Sequence, residues 1–464
     1  MNGIKDKFLK PEIAFVFCAL IFGLLLIVLT PPMQSAGEQY HFSRAYSIAH
    51  GEIKAQKLGN LMGDYLPTAF RDFGNSYFRL YSDKNARTSF SEIKKSAKIK
   101  INSSEKFFCH QSYMALYSPA AYLPQSIGIA AAGLFTGSVY LLLISAKLFL
   151  LLFYTSVGYF TLKSMPFLKW TAFLLLLMPM SLSMGASVSA DGVLIAVCAL
   201  YFAKILQYSY EKAPLNKKRF FFLMFLALFI ALVKQSFLIT LFAFFIPKEK
   251  FCNIFESKKL KSPVLTMILM LFPAFIASVL WSKLILGIYI PVHGANPQLQ
   301  TAFILKHPFE YLHSFILTFG MYFKLILFST VGILGWLDII FRPYVYWTYI
   351  IVILLNVIFT PQACEKQVST LFQKIWLIGL FLLNIFVIST IIYVTWVTPY
   401  DTGIWSGLQG RYFIPVLLPF FTFLFLLYNK YFNPVKAAWI IPINAILLVI
   451  TYFNAAISLF LRFF

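Results

Sequence analysis

The stretch PPMQSAGEQYHFSRAYSIAHGEI, residues 31 to 53, places Glu38, His41 and Arg44 within seven residues, directly after an apolar run. An acid, an imidazole and a guanidinium so close together can take a proton and hold an anion. Glu38 and His41 are three residues apart and would share one helix face. A carboxylate at a membrane rim feels low dielectric that disfavours its charged form, which suits a general base. The plainer reading is a helix start. Ser35-Ala-Gly-Glu38 fits S-x-x-E, a capping box, with Phe42, Ala45 and Ala49 as the apolar stripe behind it. A cap would also fix the carboxylate in place, so the two readings are compatible.

Further polar residues stand where apolar sequence makes them conspicuous. SMGASVSADGVL, residues 183 to 194, sets Asp191 at a helix start beneath a cluster of small residues. Ser189 or Asp191 could simply cap that helix; the small side chains would also let a ligand or another helix come close. Lys234-Gln235 interrupts a long apolar run. A snorkelling lysine is the ordinary explanation, and an anion partner is the functional one. Gln409 and Arg411 lie in GLQGRYF, and a guanidinium fork suits phosphate oxygens. GILGWLD (332–338) and WSGLQ (405–409) put tryptophan beside glycine, and aromatic-belt anchoring accounts for each.

The elements that must position these residues follow from composition. The chain has 464 residues, of which 60% are hydrophobic and 12% charged. Soluble domains carry about 25% charged residues, so the solvent for much of this surface must be lipid. The net charge of +22 does not point to nucleic acid, because the lysines and arginines sit in short clusters between apolar runs, as in cytoplasmic membrane loops. Spans need about 20 apolar residues, and the clear runs are 13–30, 139–160, 167–186, 189–207, 264–289, 344–361, 375–397, 412–428 and 437–461. The first resembles a signal peptide but lacks a small-residue cleavage site, so it reads as a retained helix with the N-terminus inside.

Charge arbitrates the ambiguous regions. With 117–136 and 308–335 not crossing, and 219–247 crossing twice as two short helices, the inner segments hold nineteen Lys and Arg. The outer segments beyond the first loop then hold six. The expected fold is an all-α polytopic membrane protein of about eleven transmembrane helices, one integral domain over 1–464. Its large first extracytoplasmic loop, 31–138, carries amphipathic helices. A second outer loop, 290–343, holds a re-entrant or interfacial segment, and 396–412 forms a third. Of five cysteines only Cys109 falls outside, so no structural disulfide is expected. No metal-ligand spacing and no phosphate-cradling glycine loop is present.

PPMQSAGEQYHFSRAYSIAHG, YSPAAYLPQSIG, SVSADG, GILGWLD and LQGRYFIP, in that order, resemble a bacterial family of polytopic membrane proteins of unknown function placed in the GT-C glycosyltransferase superfamily. The resemblance spans roughly residues 13 to 430. It implies a GT-C-like fold in the bacterial inner membrane and an enzyme, a glycosyltransferase of the inverting kind. The donor it implies is a polyprenyl-phosphate (undecaprenyl-phosphate) sugar, and the acceptor an envelope glycan such as O-antigen. The family's first-loop motif reads Pro-Asp-Glu ahead of the His; here Ala36, Gly37 and Glu38 stand there, leaving Glu38 as the single acid. By the same matching Asp191, Lys234, Gln409 and Arg411 fall on polar positions of the later motifs. Glu38 and Asp191 are thus the expected catalytic residues, with His41, Arg44, Lys234, Gln409 and Arg411 on the substrate phosphate. The expected partners are the lipid-linked donor, the glycan and membrane lipids, with no nucleic acid. No cofactor is assigned, and a divalent cation stays open. A flippase for lipid-linked sugars, or a glycan polymerase or ligase, would use the same helices and cations.

Overall fold

Apolar runs, and the prolines that interrupt them, set the elements of the computed structural model, which describes residues 10–102, 104–234, 236–252, 254–255, 262–291, 294–359, 369–398, 403–428 and 439–464. The lysines of 258–261, 366 and 430–436, together with Gln235 and residues 399–402, lie outside these.

Helix α1 (Pro11–Leu29) leads into α2 (Glu38–Ala49). A three-stranded antiparallel sheet follows, built from β1 (Gln56–Leu58), β2 (Leu61–Pro67) and, after helices α3 (Ala69–Ser82) and α4 (Phe90–Ser96), β3 (Lys106–His110). Two 3₁₀ turns (Ser112–Leu116, Pro119–Tyr122) and α5 (Leu123–Gly133) complete the first loop. The bundle continues with α6 (Val139–Ser164), α7 (Lys169–Leu176), α8 (Pro179–Gly185), α9 (Ala190–Tyr210), α10 (Lys217–Lys234) and the short α11 (Phe237–Thr240). Then come α12 (Pro263–Leu286), α13 (Pro297–Lys306), α14 (Pro308–Gly332), the two-residue strands β4 (Ile333–Leu334) and β5 (Ile339–Ile340), α15 (Pro343–Ile358), α16 (Leu371–Trp396), α17 (Leu417–Tyr428) and α18 (Ile440–Phe463).

Eight described helices are long and apolar enough to cross a membrane, and α15 is a shorter apolar one. The fold is therefore that of a mostly helical, polytopic membrane protein. This is consistent with the expected all-α polytopic class, to which the first loop adds a small sheet. Its β1 is wholly exposed, and β3 lies some forty residues beyond β2, so neither alternation nor proximity announces it.

Contacts order the two ends of the bundle. Phe15 of α1 meets Gly158 of α6 and Gly23 meets Leu151, so the two helices run antiparallel. The run 167–186, expected as one helix, breaks before Pro179, whose ring and missing N–H cannot continue it. Three buried tyrosines supply donors there: Tyr349, Tyr154 and Tyr452 give their hydroxyl protons to the carbonyls of Leu174, Leu176 and Leu177, each at 2.8 Å. In an apolar interior such carbonyls need partners from within the protein.

From Phe237 the chain returns along the bundle as the one-turn α11 and two 3₁₀ turns, with no long helix. Lys234 stands beside Asp191 at the start of α9, whereas the Leu215 N–H bonds Lys250 O beyond the far end of α9. Between them Tyr201 donates to Thr240 O, and Trp376 and Gln373 donate to Leu241 O and Phe245 O. Helix α14 is continuous over 25 residues. Its first turns meet the last turns of α16, through Tyr311 and Thr390 at 2.6 Å. Its last turns meet Gly410, and the β4–β5 hairpin after it reaches Met33 through the Trp336 indole at 3.2 Å. Both ends of α14 thus contact the end of the bundle that carries the first loop.

Candidate functional site

Helix α2 begins at Glu38, not in a capping box. Gly37 is the N-cap, in the left-handed region at φ 75°, and makes no side-chain cap. Glu38 uses its carboxylate for distant partners instead. One oxygen accepts the Met33 N–H at 3.1 Å and the Lys147 ammonium at 3.1 Å; the other accepts the Val188 N–H at 3.2 Å. Both side chains of this ion pair are enclosed. Glu38 therefore joins the 31–37 turn, α6 and the α8–α9 connection. The carboxylate is enclosed and takes three donors from the chain.

Arg44 is likewise committed to the fold. It is 0% exposed, donates to the carbonyls of Glu52, Ile53 and Tyr117, and faces Asp64 at 3.5 Å. Burial holds its guanidinium below the usual range, and the Asp64 carboxylate opposes this. Burial likewise raises the Asp64 carboxyl. The pair pins α2 to β2. The Arg44 Nε is buried without a hydrogen-bond partner among the described residues.

The remaining residues converge. Ser189 caps α9 by accepting the Asp191 N–H at 3.1 Å, which frees the Asp191 side chain. Gly192 seats α9 against α8: a side chain there would lie 2.4 Å from the Met184 carbonyl oxygen. The Asp191 carboxylate meets the Lys234 ammonium at 2.5 Å and faces Arg411 Nε at 3.9 Å. Lys234 is thus not a snorkelling lysine. It lies over the Tyr117 ring at 5.2 Å and the Tyr412 ring at 5.7 Å, and Arg411 lies over Tyr412 at 5.4 Å. Two cations against one carboxylate leave the centre with an excess positive charge. Gln409, two residues before Arg411, holds a buried amide oxygen with no protein donor among the described residues. The turn Gly410–Val416 positions Arg411, anchored by the Gly410 N–H on Ser329 Oγ at 2.8 Å.

His41 borders this centre from α2. Its Nδ1 is 2.6 Å from the Tyr122 hydroxyl, and its ring lies 6.3 Å from that of Tyr117. Burial lowers its pKa to about 3; Asp191 works against this, Lys234 and Arg411 with it. That shift favours the neutral imidazole. Tyr117, Tyr122 and Tyr412 were not singled out from sequence, although YSPAAY and GRYF contain them. In a chain with 26 tyrosines, no local pattern separates these three.

Beside Arg411 a narrow cleft opens between the 31–37 turn, α8 and the β4–β5 hairpin, lined by Ser35, Ala36, Ser183, Met184, Gly335 and Arg411. Of the two tryptophans assigned to an aromatic belt, Trp405 is 1% exposed and packs on Tyr393. Trp336 donates to Met33 O and meets the Tyr81 ring at 4.6 Å. Packing, not headgroup anchoring, explains both. No group of three His, Cys, Asp or Glu side chains gathers among the described residues. A lone carboxylate between two cations is a poor donor set for a divalent ion.

No curated protein and no solved structure matches the chain. A family described as a predicted membrane protein (DUF2142) matches residues 20–419, which includes every residue of the centre, and the chain belongs to that family.

Proposed function

We propose that the chain is a membrane glycosyltransferase of GT-C type, moving a sugar from a polyprenyl-phosphate donor to an envelope glycan such as O-antigen. The observation that carries this reading is the convergence of Lys234 and Arg411 on Asp191, 2.5 and 3.9 Å away, at the end of the bundle that holds the first loop. The excess cation suits a lipid-borne phosphate. Asp191 keeps Lys234 in place for that phosphate and orients the sugar or the acceptor. Charge on the leaving phosphate is met by groups already in place.

The compartment in this reading is the outer face of a bacterial inner membrane, with a cytoplasmic N-terminus and eleven crossings. What supports eleven is the return of the chain from Lys234 to Lys250, together with both ends of α14 meeting the loop-bearing end. The crossings are then α1, α6, α7 with α8, α9, α10, the 237–251 return, α12, α15, α16, the 410–428 segment and α18.

The test supplies purified protein with a radiolabelled polyprenyl-phosphate sugar and candidate glycan acceptors. Transfer by the native chain, reduced at least about 100-fold in Lys234→Met and in Arg411→Gln, supports the reading. Lipid-linked sugar flipped across vesicles without transfer overturns it in favour of transport.

A further inference from the structure

The cluster leaves one question of chemistry unanswered, namely where the acceptor's proton goes. Glu38 is saturated by Lys147 and two backbone N–H groups. Asp191 is held by Lys234. His41, by contrast, makes one polar contact among the described residues, from Nδ1 to the Tyr122 hydroxyl at 2.6 Å. Its other nitrogen, Nε2, has no hydrogen-bond partner among the described residues. Gly37 sits over that edge in the left-handed region, and a side chain there would start 3.7 Å from Nε2 and 3.0 Å from the Met114 methyl. The same turn carries Ser35 and Ala36, which line the cleft beside Arg411.

Resting on the phosphate-sugar reading above, we infer that His41 Nε2 is the base that receives the acceptor hydroxyl's proton, with Tyr122 as the positioning residue that fixes its tautomer. With Nδ1–H donated to the Tyr122 oxygen, Nε2 carries the lone pair. The hydroxyl O–H bond breaks and its proton goes to Nε2. The freed oxygen pair forms the bond to the anomeric carbon, and the carbon–oxygen bond to phosphate breaks, its pair leaving with the phosphate. Every atom and electron is accounted for without a co-reactant.

The field around His41 makes this step conditional. The charged groups facing it are Asp191 on α9, Lys234 on α10 and Arg411 before α17; Tyr117 and Tyr122, from the 3₁₀ segment, are the neutral ones. Burial raises both phenols, so they keep their protons. In the unliganded centre burial disfavours an imidazolium, and Lys234 and Arg411 add to this while Asp191 works against it. An anionic phosphate on Lys234 and Arg411 reverses that balance. Proton capture is therefore tied to the arrival of the phosphate, which keeps the base from being spent on water.

The test is ¹⁵N-histidine NMR of the full chain in bilayers, with His41→Gln to assign the signal and inorganic pyrophosphate as the anion probe. Expected is a neutral ring with Nδ1 protonated and Nε2 bare. Its protonation should move upward by at least about one pH unit when pyrophosphate binds, and Tyr122→Phe should weaken the tautomer preference. A neutral ring with its proton on Nε2 overturns the assignment, as does titration near 6.5 without the anion. Pyrophosphate that fails to bind, seen by ³¹P NMR, overturns the phosphate reading of Lys234 and Arg411 instead, and the tautomer still decides His41. In the transfer assay His41→Gln should lower kcat about 100-fold or more with donor KM little changed; an unchanged kcat overturns the proposal.

Discussion

At the residue scale, the acids and cations found in sequence divide into those whose partners tie distant segments together and those gathered around Asp191. Glu38 with Lys147 is the first kind. Removing one member of a buried ion pair strands the other charge at about 3–5 kcal/mol, whereas replacing both with apolar or neutral groups costs far less. Glu38→Gln should therefore lower thermal stability in detergent sharply, and Glu38→Gln with Lys147→Met should recover most of it. Transfer activity that also returns in the double variant marks Glu38 as an anchor; activity that stays lost with stability restored returns it to the chemistry. His41 gives a pH signature. Its folded pKa, about 3, lies below the unfolded value near 6.5. Between those values the unfolded chain binds a proton that the folded chain refuses, so stability is level above 6.5 and falls as pH drops toward 3. Melting followed from pH 7.5 to 4.5 should show this decline, and His41→Gln should flatten it. The sequence disclosed Asp191, Lys234 and Arg411 because charge in an apolar run is costly and needs a reason. It could not disclose that Arg44 spends its donors on the carbonyls of 52, 53 and 117, since those contacts exist only after folding.

At the scale of elements, the centre depends on how closely α8 and α9 approach. Gly192 leaves no room: a methyl group would stand 2.4 Å from the backbone oxygen of Met184, and backbone cannot turn aside as a side chain can. Gly192→Ala should push α9 outward, move Asp191 from between its cations, and cost about 1–3 kcal/mol through overpacking. The informative measurement pairs melting with pyrophosphate affinity, and affinity should fall more than the melting shift alone explains. The small-residue cluster SMGASVSADG made this approach readable in advance. The break before Pro179 was less readable, because the run 167–186 is apolar throughout and its repair comes from tyrosines on three distant helices. The sheet was hidden for a similar reason, since β3 finds β2 across two intervening helices.

At the scale of the whole molecule, length and composition count spans in one way and contacts count them in another. Helix α14 has the length and hydropathy of a crossing. In the proposed eleven-crossing arrangement its two ends lie on one side, and the contacts that support this are Tyr311 beside the last turns of α16 and the hairpin after α14 reaching Met33. A 25-residue helix extends about 37 Å, enough to run along a leaflet boundary, and its outward side chains Phe309, Ile316, Met321 and Phe323 are apolar and exposed. Such a helix would border the side of the centre from which a lipid substrate arrives. Cysteines placed at Lys306 and Arg342, in a background lacking the native five, flank this helix and its hairpin. A membrane-impermeant maleimide should reach both from the same face, and Lys218→Cys from the opposite face. If Lys306→Cys and Arg342→Cys label from opposite faces, α14 is a true crossing, every later segment reverses its sense, and Lys234 and Arg411 could not share one leaflet.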